Sequence, residues 1–139
     1  MEKILEKNNY EPKRENRFQV VFPKEIPIPL YIVKSITKPL FKGKRWGVMT
    51  IELYDPIGPS TSQTIHELIT TPDDREDYFE NPLFTFHIES LDPTGVVIEK
   101  WEVDVAYIIS VDFGKLDNRN DTTNVVTIDL KPANCVLLF

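Results

Sequence analysis

Apolar and polar residues alternate along several segments of this chain. Residues 96–130 contain a hydrophobic hairpin, a run of branched apolar residues and a closing strand pattern. Upstream, Met49, Ile51 and Leu53 alternate with other residues in the same way. A period of two places successive side chains on opposite faces of a β-strand. The sequence therefore predicts a domain built mainly from strands.

Turn and loop signals separate the predicted strands. Asp92-Pro93-Thr94-Gly95 carries proline and glycine where they favour a turn, and residues 117–122 (DNRNDT) predict a second turn. Residues 23–29 contain three prolines, which donate no backbone hydrogen bond, so this stretch is predicted as a rim loop or an extended edge segment. The predicted strands cover residues 16–22, 30–38, 47–54, 83–89, 96–105, 107–113 and 124–130.

One segment has the signature of a helix. Ser60 followed by Gln63 forms a capping box, and Ile65, Leu68 and Ile69 fall on one helical face. Prolines at positions 59 and 72 bound the segment. Together with the strands, this pattern predicts a mainly β fold: an antiparallel β-sandwich or a partly closed barrel with one short helix.

Length and local composition suggest how the chain is divided. Its 139 residues suffice for one core. Residues 1–15 are charged and show little periodicity, which fits either an arm that orders on meeting a partner or a frayed end. We therefore expect an N-terminal arm, residues 1–15, and a single β domain, residues 16–139. Residues 73–80 (DDREDYFE) are predicted to be a solvated acidic connector.

Charge and cysteine content exclude several classes of function. The 22 acidic and 16 basic side chains give a net charge of -6, which argues against sequence-independent binding to nucleic acid. A single cysteine, Cys135, excludes an internal disulfide and a multi-cysteine metal site. Neither a long apolar stretch nor a secretion signal is evident, so we expect a protein made and kept in a cytoplasm.

The polar residues give no convincing catalytic pattern. His66 lacks the second histidine of a zinc-binding HExxH helix, and His87 has no cysteine or paired carboxylate beside it. Ser60 has the wrong glycine spacing for a nucleophile elbow and is explained as a helix cap. The Gly43 region lacks the frame of a phosphate-binding loop. We expect no catalytic residue, no metal and no cofactor.

A basic loop, residues 39–46, stands out in this acidic chain. It contains Phe41, Lys42, Lys44, Arg45 and Trp46. One interpretation is a contact loop whose cations meet acidic surface on another copy of the chain, because interfaces favour tryptophan and arginine. The alternative is a solvated loop whose Trp46 folds back onto its own core. The sequence favours the contact.

Carboxylates and the carboxy-terminal segment need separate explanations. Glu102 and Asp104 are predicted on one strand face, opposite Trp101, Val103 and Val105, and a solvated face explains them better than an acid/base pair. By the same parity, Glu52 and Asp129 also lie on polar strand faces.

The final residues, 135–139 (CVLLF), are too apolar for a free tail, so we expect them to pack on their own sheet or on a neighbour.

The order of these segments resembles the tail tube proteins of contractile-tailed bacteriophages and of phage-derived injection systems. Asn16-Arg17-Phe18-Gln19-Val20 looks like the opening strand of that family. Residues 46–53 (WGVMTIEL) resemble the strand before the single helix of that family, and residues 60–69 correspond to the helix. Residues 88–101 (IESLDPTGVVIEKW) are similar to its hairpin, and residues 107–117 and 123–130 match the strands that follow. Residues 39–46 are short for the family, and residues 131–139 extend past its usual closing strand.

This resemblance implies a non-enzymatic virion protein, a tail tube subunit. Its copies would join sheets into six-membered rings, completing the barrel by oligomerisation, and the rings would stack into a tube inside a contractile sheath. The expected partners are its own copies, the tail sheath, tape-measure, baseplate and terminator proteins, and viral DNA that passes through the channel during genome ejection without specific binding. No membrane partner is expected. The location would be the virion tail, assembled in the host bacterial cytoplasm.

The resemblance also gives the charged residues roles. Candidate lumen-facing residues are Glu52, Glu102, Asp104 and Asp129, because a negative bore would not hold DNA. Parity alone does not separate the bore from the outer face. A tube-initiator or tail-terminator ring protein of the same fold, and a type VI secretion tube protein, stay open as alternatives. An isolated binding barrel fits worse, because it would need an aromatic and basic sheet face.

Overall fold

The computed structural model describes residues 11–70 and 84–139 of the chain. The strands are β1 (Phe18–Val21), β2 (Val33–Ile36), β3 (Phe41–Lys42), β4 (Arg45–Trp46), β5 (Met49–Tyr54), β6 (Phe84–Leu91), β7 (Val97–Asp112), β8 (Val125–Lys131) and β9 (Asn134–Leu137). A 3-10 helix covers Leu30–Ile32, and an α-helix, α1, covers Thr61–Thr70. The predicted class, mainly β with a short helix, is confirmed. The predicted connector, residues 73–80, and residues 1–10 of the arm lie outside the described residues.

Seven of the nine strands in the described residues form one antiparallel sheet with an open path. Its order is β1-β6-β7-β8-β5-β2, and β9 joins the sheet through β7. The short strands β3 and β4 form a separate hairpin. In the parts of the chain that are described, β1 and β2 are the two ends of the path and do not pair with each other, so the sheet does not close into a barrel.

A bulge in β7 divides the sheet into two parts. The first half of β7 pairs with β6 and β9, and the second half pairs with β8. Val105 has φ 50, which is uncommon for a β-branched residue, and the register with β6 shifts there. Val103 is fully buried, but Val105 is 43% exposed and Ala106 is buried next. The prediction that Val105 shares a face with Val103 is therefore wrong: the bulge inserts a residue and reverses the parity.

One hydrophobic core lies between the two parts of the sheet. Alternating residues of β5, Met49, Ile51 and Leu53, are buried as the sequence pattern predicts. The other buried residues come from both parts of the sheet and from α1; they include Val20, Ile65, Phe86, Ile88, Val103, Ile108, Val126, Ile128 and Leu130. Burying each large aliphatic side chain contributes about 1.5–3 kcal/mol before the entropy of ordering is counted.

The proline-rich residues 23–29 form a loop, as predicted, and they also complete the core. Ile26 and Ile28 are buried, although they lie in the loop. The predicted strand at residues 30–38 is shorter than expected, because Leu30–Ile32 form a 3-10 helix in which the Ile32 N–H donates to the Pro29 carbonyl at 3.1 Å. The strand itself begins at Val33.

Local hydrogen bonds confirm the predicted helix start and turn. The Ser60 hydroxyl accepts from the Gln63 backbone N–H at 3.2 Å, which is the bond of an N-cap. The Gln63 side chain contacts Glu67, so no reciprocal bond of a capping box is made within the described residues. In the predicted turn, the Asp92 carboxylate accepts from the backbone N–H groups of Thr94 at 2.8 Å and Val96 at 2.9 Å.

Asp55 is a second acceptor at the start of α1 that the sequence did not indicate. Its carboxylate accepts from the Ser62 backbone N–H at 3.1 Å and from the Ser62 hydroxyl at 2.5 Å. Burial alone would raise the pKa of Asp55, but the hydrogen bonds from Ser62, Ser60 and Asn124 hold that pKa below its usual value. These hydrogen bonds from Ser62 to Asp55 connect the start of α1 to the end of β5.

Candidate assembly site

The structure shows the environments of the polar residues that were considered for catalysis. In residues 11–70 and 84–139, no group of three or more His, Cys, Asp or Glu side chains is placed to hold a metal ion. His66 is exposed on α1, and the His87 Nε2 lies 3.3 Å from Glu102. Cys135 is buried, and burial together with the charge of Asp104 raises the pKa of its thiol to about 11. No described helix has the length and apolar character needed to cross a membrane.

The basic loop is a β-hairpin, which corrects the prediction of a loop. Gly43 and Lys44 have φ values of 62 and 61, which is the backbone of a type I′ turn between β3 and β4. Glycine adopts this conformation without a steric penalty, so Gly43 suits the turn. The hairpin holds its three cationic side chains, Lys42, Lys44 and Arg45, in exposed positions.

The aromatic residues of the hairpin have different environments. Trp46 packs back on the domain: its ring centroid lies 6.2 Å from that of Trp101, and its Nε1 donates to the Asn134 side chain at 3.0 Å. Phe41 lies against Trp46 at 4.9 Å between ring centroids and stays 59% exposed. The alternative in which Trp46 folds back onto its own core is therefore the observed one for this residue. The contact role of Phe41 and the cations stays a prediction.

Two of the four candidate lumen carboxylates lie on the outward face of β5 and β8. Glu52 accepts from the Ser35 hydroxyl at 2.6 Å. Asp129 accepts from the Thr50 hydroxyl at 2.8 Å and from the Ser110 hydroxyl at 3.1 Å. These bonds join four neighbouring strands across a polar surface and leave both carboxylates partly exposed.

The other two candidates lie on the first half of β7, on the other part of the sheet. Glu102 and Asp104 lie side by side, with His87 of β6 beside Glu102. Partial burial raises the pKa of Asp104, and the negative charge of Glu102 raises it further. The structure thus places the four candidates as two pairs on outward faces of different parts of the sheet. Which pair faces a bore stays a prediction.

A buried carboxylate, Glu99, joins parts of the chain that lie far apart in sequence. It is 8% exposed and accepts from the Lys13 ammonium at 2.5 Å, from the Lys38 ammonium and from the Trp101 Nε1 at 3.0 Å. Burial alone would raise the pKa of Glu99, but the hydrogen bonds and charges of the two lysines lower it to about 2. No local pattern in the sequence indicates this site, because Lys13 and Glu99 are 86 positions apart.

The strand edges form a further candidate contact surface. Within the described chain, β1, β2 and β9 each pair with a single neighbouring strand, so one backbone edge of each is open. The expected packing of residues 135–139 on their own sheet is confirmed, because β9 pairs with β7 and buries Cys135. The remaining apolar side chains stay exposed, among them Leu137 at 52% and Phe139 at 62%. Open edges with exposed apolar side chains favour pairing with another chain.

Comparison with solved structures gives matches over nearly the whole chain. A chain in the sheath-tube complex of an extracellular contractile injection system, PVC, in its extended state matches with a TM-score of 0.69 at 16% identity, over 92% of both chains. A chain in the tube-terminating cap of the anti-feeding prophage matches with a TM-score of 0.68 at 16% identity, over 91% of both chains. Hcp1 from Flavobacterium johnsoniae matches with a TM-score of 0.59 at 11% identity, over 87% of this chain and 94% of that one.

These matches concern the fold. No family model matches the sequence, and no curated protein sequence matches it. The chain has the fold found in contractile injection assemblies and in Hcp1, so the resemblance to the contractile tail tube family is confirmed at the level of the fold.

The Glu99 site predicts a pH dependence of stability. Since the pKa of Glu99 is lowered from 4.5 to about 2, its ionised form stabilises the folded state above pH 4.5, and this contribution is lost as the pH falls towards 2. We expect Glu99→Gln to lower the free energy of unfolding by about 1–3 kcal/mol at pH 7. Urea unfolding at pH 7 and pH 3 should show a smaller difference between variant and wild type at pH 3.

The control for this experiment is Glu15→Gln, which removes an exposed carboxylate of the same chemistry. It should unfold like the wild type at both pH values. A Glu99→Gln variant as stable as the wild type at pH 7 would contradict the structural role of the two lysines.

Proposed function

We propose that this protein is a non-enzymatic structural subunit of a contractile-tail tube, in which copies join into rings and the rings stack. The observation that carries the proposal is the combination of open strand edges with a fold shared with a chain of a sheath-tube complex over 92% of both chains. An open edge is a liability in a monomer, but pairing between copies removes it. The exposed apolar residues of β9 support the same conclusion.

In this proposal the working partners are other copies of the chain, with sheath, tape-measure, baseplate and terminator proteins at the surfaces and ends of the tube. A bacteriophage tail is the setting we propose, with assembly in the cytoplasm of the host bacterium and with viral DNA passing through the bore. The net charge of -6 supports passage without binding, because a negative wall repels phosphate.

A terminator or initiator ring is a second candidate function. The observation that favours it is the match to a chain of the tube-terminating cap, whose TM-score of 0.68 is nearly that of the sheath-tube match, 0.69. A type VI secretion tube protein is a further alternative, supported by the match to Hcp1. The proposed proteins share a fold and differ in which ends polymerise.

Electron microscopy of the purified protein tests the proposed function. We expect extended tubes at high protein concentration, because each ring would present a complementary surface at both ends. Discrete rings would favour the terminator or initiator. A monomer that persists at high concentration would contradict both candidates.

The charged residues are tested by a reconstruction from such tubes. We propose that the hairpin cations Lys42, Lys44 and Arg45 contact acidic surface on an adjacent ring, and that at least one of the two carboxylate pairs faces the bore. Replacing the three cations by alanine should then give shorter tubes that dissociate at lower salt, because exposed charge pairs are screened. Lys24→Ala and Lys115→Ala, at exposed lysines outside the hairpin, provide the control.

The bore proposal is tested in the same tubes. Glu102→Lys with Asp104→Lys, and separately Glu52→Lys, should make the bore-facing variant retain DNA at low ionic strength and release it as salt rises. A reconstruction in which both carboxylate pairs face outward, or triple-alanine tubes of normal length and salt resistance, would contradict the corresponding role.

A further inference from the structure

A groove lies between the two strands that end the open sheet. It has a volume of about 740 Å³ and is lined by Phe18 of β1 and by Lys34, Ser35 and Ile36 of β2, with Ile88 of β6 between them. In the described chain, β1 and β2 are paired only on their far sides, with β6 and β5. The groove therefore opens along two strand edges whose outward backbone groups are available to an additional strand.

The groove combines an apolar floor with a cationic rim. Phe18 and Ile36 are half-buried and Ile88 is buried. The lining also includes four cations and one carboxylate: Lys13, Arg14, Lys34, Lys38 and Glu15. Lys13 and Lys38 share the single carboxylate of Glu99, which offsets one of their two charges, and no ion pair to Arg14 or Lys34 is formed by the described residues. The four cations outnumber the carboxylates Glu15 and Glu99, so the rim is positively charged.

We propose that this groove binds the acidic segment of a second copy, residues 73–80, as an added strand. That segment has the sequence DDREDYFE, with five carboxylates and one arginine. Its charge complements the rim, and Tyr78 or Phe79 supplies an aromatic side chain for the apolar floor. Residues 1–10 (MEKILEKNNY) are a poorer occupant, because their two acidic and two basic side chains give no net charge to match the rim.

The covalent connections favour binding between copies. The acidic segment leads into Phe84 at the start of β6, whereas the groove is lined by Ile88 and Ser90 towards the end of β6. The distance along the strand from Phe84 to Ser90 is about 20 Å. Copies arranged head to tail would bring the acidic segment of one to the groove of the next, and such a heterologous contact leaves a free groove and a free segment for further copies. This inference depends on the proposed function in one respect: it assumes that the second copy is a subunit of the adjacent ring.

A peptide test examines the groove without requiring assembly. A labelled peptide of residues 73–80 should bind the full chain at low ionic strength and bind more weakly as salt is raised. Arg14→Glu with Lys34→Glu should weaken this binding roughly tenfold or more, because both rim cations become repulsive. Lys24→Glu with Lys115→Glu makes the same change in net charge at exposed positions outside the groove and should leave binding unchanged.

A second peptide separates strand binding from charge attraction alone. Replacing Tyr78 and Phe79 by serine keeps its charge and should also weaken binding. Equal binding to the groove variant and its control, or no binding of the native peptide, would overturn the inference. An unrelated acidic peptide that binds as tightly as residues 73–80 would likewise overturn the assignment of the occupant.

A charge exchange in the full chain tests the second copy. Asp74→Lys with Asp77→Lys should reduce self-association measured by sedimentation, as should the groove variant. A chain carrying all four substitutions should regain the association state of the wild type, because the charges are again complementary. If the wild type forms rings that do not stack, the proposed tube is contradicted. If the fourfold variant nevertheless regains the association that each pair of substitutions reduces, binding of the acidic segment in the groove is supported. Tubes of the wild type that neither pair of substitutions affects would overturn the groove and leave the tube standing.

Discussion

The bulge at Val105 determines which residues of β7 face the core. A strand without it would keep one parity, so the face that carries Val103 would also carry Val105 and Tyr107. The bulge instead turns Ala106 and Ile108 towards the core and leaves Val105 and Tyr107 at the surface. The positive φ of Val105 is a strained backbone conformation, and the Thr85 hydroxyl accepts from its N–H at 3.2 Å. One long strand thereby serves both parts of the sheet, which enclose a common core.

That arrangement leaves backbone edges available. The path from β1 to β2 is not closed within the residues described, and the outer edge of β9 carries exposed apolar side chains. A single domain normally covers or charges such edges. In this chain the charge distribution instead favours association between copies. Cations are grouped on the hairpin and beside the groove, whereas the chain as a whole is acidic. Unlike surfaces of this kind favour head-to-tail association of identical copies.

Local patterns made much of this fold predictable. The alternation at Met49, Ile51 and Leu53 identifies β5 and its buried face, and Ser60 identifies the start of α1, since both depend on residues close in sequence. The bulge was not predictable, because neither glycine nor proline marks Val105. The binding of Lys13 to Glu99 was likewise hidden, because it depends on how distant segments pack. Parity placed Glu52 and Glu102 on polar faces, but it carries no information about which part of the sheet each face belongs to.

Hydrogen exchange of the strand edges tests whether copies of this chain complete the open sheet of one another. The measurement compares the backbone amides of β1, β2 and β9 in assembled and dissociated protein. We expect edge amides to exchange fast in the dissociated protein and to become protected on assembly. The amides of β8 should be protected in both states, because β8 has partners on both sides. Edge amides that exchange equally fast in both states would contradict the claim.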